Sequence, residues 1–349
     1  MQMNRRQLLT GLAVPLLGAQ RPVPAPLFDR GFASVTQIAD GVYATIADVS
    51  KGAQCASNGG VIAGRDAMLI VEGHMQPAGA ALEIEVARAA GKGPARAAVD
   101  THFHFDHSFG NLAYADHGIP IMAHEKVTSL MKERYAALQG VDKAPLLARA
   151  EQKIAQASNP AEKAHKQGDL ELLKMMYGAI DATTLAFPTE LLGGADLPKP
   201  IDLGGLTAVI ECHPGHTVTD LIIRVPERDV VFAGDLLFNR AYPVSIDADM
   251  VAWRKVLDTF SSYGRRTQFV PGHGPVCGLQ TVRDQADLMD DLRAHAEKMI
   301  RSGVTAEEAE RRYVVPQPFQ TYRHGAWGWT VGAAMQSFYL KLAPLAPRG

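Results

Sequence analysis

Within the six residues His102–His107 the chain carries three imidazoles and a carboxylate: His102, His104, Asp106 and His107. Groups that must stay hydrogen-bonded or ionised make poor core filling. They make good ligands for a divalent metal. Single histidines recur much later, in Pro214-Gly215-His216-Thr217 and in Pro271-Gly272-His273-Gly274. Between them the apolar run Val230–Ala233 ends at Gly234-Asp235. Imidazole with carboxylate suits zinc and related ions, whereas a calcium site would use oxygen ligands throughout. On an extended segment alternate residues share a face, so His102 and His104 can grip one ion together. Asp106 and His107, where the chain turns into a following helix, are aimed at a second. His216 would complete the first site and His273 the second, with Asp235 as the natural bridge. Two ions about 3.5–4 Å apart can hold a hydroxide between them and polarise a carbonyl or phosphoryl group.

Residues so far apart meet only if the fold gathers strand ends at one edge. Short β-rich segments bounded by turn residues fall at Val35–Ile38, Val42–Ile46, Gly60–Ala63, Met68–Val71, Ala97–Asp100 and Ile119–Ala123. A second set falls at Leu206–Ile210, Leu221–Val225, Val230–Phe232 and Gln268–Val270. The alanine-rich stretch Ala78–Ala90, closed by Gly91-Lys92-Gly93-Pro94, predicts a helix. From about residue 125 to 186 Lys, Glu, Gln, Ala and Leu dominate, which predicts a helical insertion. Thr281–Ile300 has the spacing of an amphipathic helix, and Thr305 with Glu308 forms a capping-box pattern for the next one. The expected organisation is a main domain over residues 30–280 with a helical extension over 281–349 packed on it.

Met1–Ala19 reads as an export leader: Arg5-Arg6, an apolar centre from Leu8 to Leu17, then Gly18-Ala19. Asn4-Arg5-Arg6-Gln7-Leu8-Leu9-Thr10 resembles a twin-arginine signal, so residues 1–25 are set apart and a periplasmic or secreted location is expected. The apolar run is about half of the roughly 20 residues a spanning helix needs, so no stable membrane insertion is expected. A formal charge of −2 gives no basic footprint for nucleic acid and leaves a small molecule as the expected partner. Three cysteines, Cys55, Cys212 and Cys277, are too few for a disulfide framework. Sequence leaves open whether Cys212 and Cys277 pair.

Taken together, Asp100-Thr-His-Phe-His-Phe-Asp-His-Ser-Phe-Gly-Asn111, Pro-Gly-His216-Thr, Ala-Gly-Asp235 and Pro-Gly-His273-Gly resemble the metallo-β-lactamase superfamily. The version resembled is the one with a full dinuclear, glyoxalase II-like ligand set. Trp253-Arg-Lys-Val-Leu-Asp258 resembles the helix before the last histidine in such proteins. The resemblance implies an α/β fold, a four-layered αββα sandwich with the metals at one edge of two sheets. It also implies two Zn2+ per chain, with iron or manganese as substitutes. The implied activity is hydrolysis, a zinc-bridging hydroxide attacking a thioester, ester, lactone or amide carbonyl, with Asp106 or a metal-bound water handling the proton. The alternatives are a β-lactam hydrolase, an iron-dependent oxidoreductase and a non-catalytic exported binding protein. Asp235 disfavours the first, because true metallo-β-lactamases usually carry cysteine or serine there. His74, Arg240 and Tyr242 are candidate substrate contacts. Glu72 stands where many relatives have aspartate, which puts the orienting contact at that position in question.

Overall fold

A computed structural model describes residues 26–91, 93–139, 141–157, 160–322 and 331–343. The leader expected over residues 1–25 lies outside the described residues. Eight strands form the first sheet in chain order: β1 (Phe28–Asp29), β2 (Ala33–Ala39), β3 (Val42–Ala47), β4 (Gly59–Ala63), β5 (Met68–Val71), β6 (Ala95–Val99), β7 (Ile121–His124) and β8 (Glu190–Leu192). Neighbours are antiparallel up to β5 and parallel from β5 to β8. Parallel neighbours need long crossovers. These are α1 (Pro77–Ala90) after β5, then α2 (Phe105–Ser108) and α3 (Leu112–Asp116) after β6. The crossover after β7 is the insertion, α4 (Val127–Gln139), α5 (Ala144–Ala155) and α6 (Pro160–Ala182).

The second sheet has the order β13-β12-β11-β10-β9. Its strands are β9 (Lys199–Asp202), β10 (Thr207–Cys212), β11 (Leu221–Val225), β12 (Val230–Phe238) and β13 (Gln268–His273). Its one parallel pair, β12 with β13, is joined through α7 (Met250–Ser261). The helices α8 (Leu279–Arg301), α9 (Ala306–Arg312) and α10 (Val331–Leu342) follow.

Alternation along the strands decides the layering. Ile62, Leu69, Val71, Ala97 and Val99 of the first sheet meet Ile210, Ile223, Phe232 and Val270 of the second in one buried cluster between the sheets. The intervening residues Val61, Ile70 and Ala98 pack outward against Leu82 and Val86 of α1. On the other side Ile222, Val231 and Phe269 pack against Trp253 and Phe260 of α7, Leu288 and Leu292 of α8, and Met335 and Phe338 of α10. The result is the expected αββα sandwich, and the C-terminal helices share the outer layer with α7. The insertion covers the histidine cluster from the side, as Met131, Tyr135, Met176 and Ile180 bury Phe103, Phe105 and Phe109.

β8 and β9 were not anticipated. Both are short, and β9 is an edge strand carrying Pro200, so neither has the apolar alternation of a central strand. Strand order also settles the cysteines. Two strands, β11 and β12, separate β10, which ends at Cys212, from β13, and all three thiols are free.

Candidate metal centre

The strand ends converge as the spacing implied. The segment Asp100–His104 leaves β6, and Asp106 and His107 lie in the first turn of α2. His216 caps the β10–β11 turn, Asp235 lies within β12, and His273 ends β13. A register shift around Gly234, at φ +51, turns Asp235 out of the ladder and into the centre. A methyl at Gly234 would press on Thr101 Oγ1 at 2.7 Å, and one at Gly272 would sit 1.9 Å from Asp235 Oδ1. Glycine at these two places is what lets three backbone segments close around one carboxylate.

Two trios of donors result. His104 Nδ1 lies 3.1 Å from His102 Nε2 and 3.0 Å from His216 Nε2, and Asp235 Oδ2 is 3.4 Å from His216 Nε2. Asp106 Oδ2 lies 3.3 Å from His273 Nε2 and 3.6 Å from His107 Nε2. Asp235 Oδ1 is 3.1 Å from His107 Nε2 and 3.3 Å from His273 Nε2. One carboxylate thus turns an oxygen to each trio. An ion bound at about 2.1 Å holds tetrahedral ligands about 3.4 Å apart, which is the spacing of these donors. His107 Nε2 and Asp235 Oδ1 are buried and have no aligned hydrogen-bond partner. The residues therefore fit a metal in each trio.

The far side of each ring fixes which nitrogen faces inward. His216 Nδ1 donates to Val244 O at 2.8 Å. The Thr101 hydroxyl donates to Glu72 Oε1 at 2.6 Å, so it accepts from His102 Nδ1 at 3.0 Å and leaves Nε2 bare. The same Glu72 oxygen lies 3.1 Å from His107 Nδ1. The longer acidic side chain therefore does reach the orienting position, from a residue held at φ 82. Asp220 stitches the His216 turn, accepting from Gly215 N, Thr217 N and Thr217 Oγ1.

His104 is held from outside the sequence motifs. Its Nε2 lies 2.8 Å from Asp247 Oδ2, and Arg134 Nη2 of the insertion grips both Asp247 oxygens at 2.5 and 2.6 Å. Burial opposes the Asp247 charge, but His104 and Arg134 hold its carboxyl down at about 2. Sequence reading missed both residues. They sit in an irregular loop and on an insertion helix, with no periodicity to single them out. Arg134→Leu should leave the fold intact and weaken metal binding at the His102–His104–His216 trio about tenfold, read by competition with a chromogenic chelator. Unchanged affinity would make the pair incidental.

The electrostatics divide the trios. Burial, together with neighbouring imidazoles, holds His102 well below its ordinary value and His216 at about 3. Burial also opposes charge on His273 and His107, but Asp235 and Asp106 outweigh it for His273, raising it to about 10, and Glu72 joins them in raising His107. In the metal-free centre protons are thus favoured on His107 and His273 over His102 and His216. Metal loading near pH 7 should release about two protons per chain, measurable by calorimetry in buffers of different protonation heat. Affinity of the Asp106–His107–His273 trio should climb as pH rises toward 10, while the other trio responds less. In the metal-free protein the stabilisation from His273 is complete below about pH 6.5 and fades as pH rises through about 10.

Of the three candidate substrate contacts, two are buried in other interactions and the third is exposed. His74 is fully buried, with Nε2 2.9 Å from Glu83 Oε1 and Nδ1 3.2 Å from Ser57 O, so it braces the loop behind the centre instead of meeting substrate. Tyr242 is buried with its hydroxyl donated to Phe319 O at 2.5 Å, which ties it to the C-terminal segment. Arg240 is exposed at φ 59, and its charge acts on Tyr322. A residue close in sequence to Asp235 need not face the metals, because β12 continues past the bulge to Phe238.

A two-sheet αββα sandwich with paired histidine–aspartate trios at its strand ends defines a metallohydrolase-type architecture. The family description "Metallo-beta-lactamase superfamily" matches residues 52–273, and the chain belongs to that superfamily. Among solved structures it is similar to a sec-alkylsulfatase, Pisa1, from Pseudomonas sp.. That match has TM-score 0.61 and 18% identity, covering 90% of this chain and 51% of that one. It is also similar to a metallo-beta-lactamase from Pontibacter korlensis, with TM-score 0.51 and 16% identity over 74% of this chain and 99% of that one. These likenesses show the fold. Uncharacterized proteins of Mycobacterium tuberculosis and Mycobacterium bovis are 34% identical over 82 residues, 21% of this chain, which spans 37% of their length.

Proposed function

We propose that the chain is an exported dinuclear zinc hydrolase acting on a small-molecule carbonyl, a thioester, ester, lactone or amide. The observation that carries this reading is the Asp235 carboxylate, with Oδ1 3.1 Å from His107 Nε2 and Oδ2 3.4 Å from His216 Nε2. Two zinc ions held by the trios would supply a nucleophile at neutral pH and polarise the carbonyl. The chain's own residues do the rest. Glu72 acting through Thr101, Asp247, and the Val244 carbonyl hold His102, His104 and His216 so that bare nitrogens face inward. Asp106, kept ionised by His107 and His273 against the effect of burial, lies in the more open trio and is placed to take up and return a proton. The side chains of His104, Asp106 and His273 are 13%, 15% and 25% exposed, against 0% for His107 and His216, so the mouth opens on that side.

The test is metal content of the purified protein with a hydrolysis panel. The panel holds a thioester, a lactone, a phosphodiester, a chromogenic β-lactam and, given one fold neighbour's name, a secondary alkyl sulfate. About two zincs per chain with chelator-sensitive carbonyl hydrolysis is the expected result. Iron in place of zinc without hydrolysis would replace this reading with a redox one. No metal after reconstitution, and no turnover, would leave a binding role.

A further inference from the structure

The loop between β12 and α7 holds two of the three imidazoles in the His102–His104–His216 trio. Val244 O accepts from His216 Nδ1 at 2.8 Å, and Asp247 Oδ2 lies 2.8 Å from His104 Nε2. The same loop meets the His216 turn through its backbone, where Asp249 N donates to Gly215 O at 2.9 Å. What fixes the loop comes from the far end of the chain. In α10 the buried Ser337 uses its hydroxyl twice, donating to Ala248 O at 2.8 Å and accepting from Met250 N at 3.0 Å. One helical turn further along, Lys341 Nζ lies 2.7 Å from Asp249 Oδ2. The opening amides of α7 have no acceptor inside the helix. Ser337 serves the first, Met250 N, and Asp249 Oδ1 serves the next two, Val251 N and Ala252 N.

We infer that α10 is a clamp that positions His104 and His216 for metal, acting through this loop, with Ser337 as its main positioning residue. The inference rests on the metal-binding part of the reading above and not on hydrolysis. Packing alone does not account for the polar residues of α10. Ala334, Met335 and Phe338 give the helix its apolar face. A hydroxyl buried beside them costs stability unless its donor and acceptor sides are both used. Both are used, and on a single loop. Without Ser337 the Met250 amide and the Ala248 carbonyl lose their partner, and the α7 end of the loop loses its tether. The Val244 carbonyl and the Asp247 carboxylate are then held less firmly against the two rings. The reach is selective. These loop contacts run to His104 and His216, whereas His107 and His273 meet the carboxylates of Asp106 and Asp235. The C-terminal extension therefore serves one trio and not the other.

The test uses the whole chain in two backgrounds, His273→Ala to leave the first trio and His216→Ala to leave the second, with zinc affinity read by competition with a chromogenic chelator. Ser337→Ala should weaken the first trio about fivefold to tenfold, at the low end of the range for a direct outer contact, and leave the second within about twofold. Alanine is the better helix former, so α10 itself survives the change. Ser337→Thr, which keeps the hydroxyl, should restore most of the affinity. Lys341→Met, at an exposed ion pair whose loss spares the fold, should act in the same direction by about twofold. A second readout needs no metal. The imidazole 15N resonances of His216 should report the Nδ1-protonated tautomer in the unmodified chain and a mixture of tautomers in Ser337→Ala. Equal weakening of both trios, or a first-trio affinity that does not change, overturns the inference. Failure of the unmodified chain to take up zinc refutes the metal reading, and an unchanged His216 tautomer in Ser337→Ala would then overturn the clamp as well.

Discussion

On the dinuclear zinc hydrolase reading proposed above, Asp235→Asn is expected to cut zinc from two ions to one per chain and to lower kcat/KM on the best panel substrate by about a thousandfold or more. The substitution keeps the shape of the side chain and removes one of two oxygens. In the protein each oxygen serves a different trio, Oδ1 beside His107 and His273 and Oδ2 beside His216. An amide can turn its oxygen to only one of them, and its NH2 group has no lone pair to offer a metal. The trio facing the NH2 group loses a ligand: His102, His104 and His216 would be left with no carboxylate, whereas His107 and His273 would keep Asp106. Elemental analysis beside kinetics separates the outcomes. Two zincs with unchanged turnover would show that Asp235 is not the bridge. Gly272→Ala should reach the same end by displacement, since the added methyl would lie 1.9 Å from Asp235 Oδ1 and 2.9 Å from the backbone of the same residue.

Glu72→Gln should weaken zinc binding at both trios, by about a hundredfold in total, and Glu72→Ala by more. Outer contacts of this kind are worth about 10- to 100-fold each in metal affinity or activity. One Glu72 oxygen makes such a contact through the Thr101 hydroxyl to His102 Nδ1, and lies 3.1 Å from His107 Nδ1 as a charge contact without hydrogen-bond alignment. The two contacts serve different trios, so one carboxylate couples the sites from behind as Asp235 couples them from in front. The glutamine cannot hold a negative charge against His107, whose proton Glu72 helps retain in the metal-free state. Proton release on loading should accordingly fall in Glu72→Gln. Loss confined to the Asp106–His107–His273 trio would show that the Thr101 link does not act.

The candidate donor set was legible because a metal site would demand particular side chains at strand ends, and strand ends are marked by short apolar runs followed by glycine. His102, His104, Asp106 and His107 come within a few residues of β6. His216, Asp235 and His273 each follow or close a run of β-branched and aromatic residues. The sandwich was legible for a related reason, since alternation along β4, β5 and β6 assigns one face to the other sheet and one to helices. What failed was adjacency. Arg240 and Tyr242 follow Asp235 closely along the chain, and His74 follows Glu72-Gly73 on a loop expected at the edge of the site. His74 is buried against Glu83 and Tyr242 is anchored on Phe319, while Arg240 is exposed at a left-handed turn.

The sequence by itself marked the candidate metal donors, because donor capacity is a property of residue types, and it determined the two-sheet frame, because burial follows periodicity. Only the tertiary structure decided what holds those ligands and what lies beside them. The hold of Arg134 on Asp247, the single Glu72 oxygen behind two imidazoles, and the two bonds from Ser337 to the loop behind His216 all join segments distant along the chain. Such contacts need only a charge or a hydroxyl group in the right place. They leave no period or spacing in the sequence, and the packing of whole helices sets them.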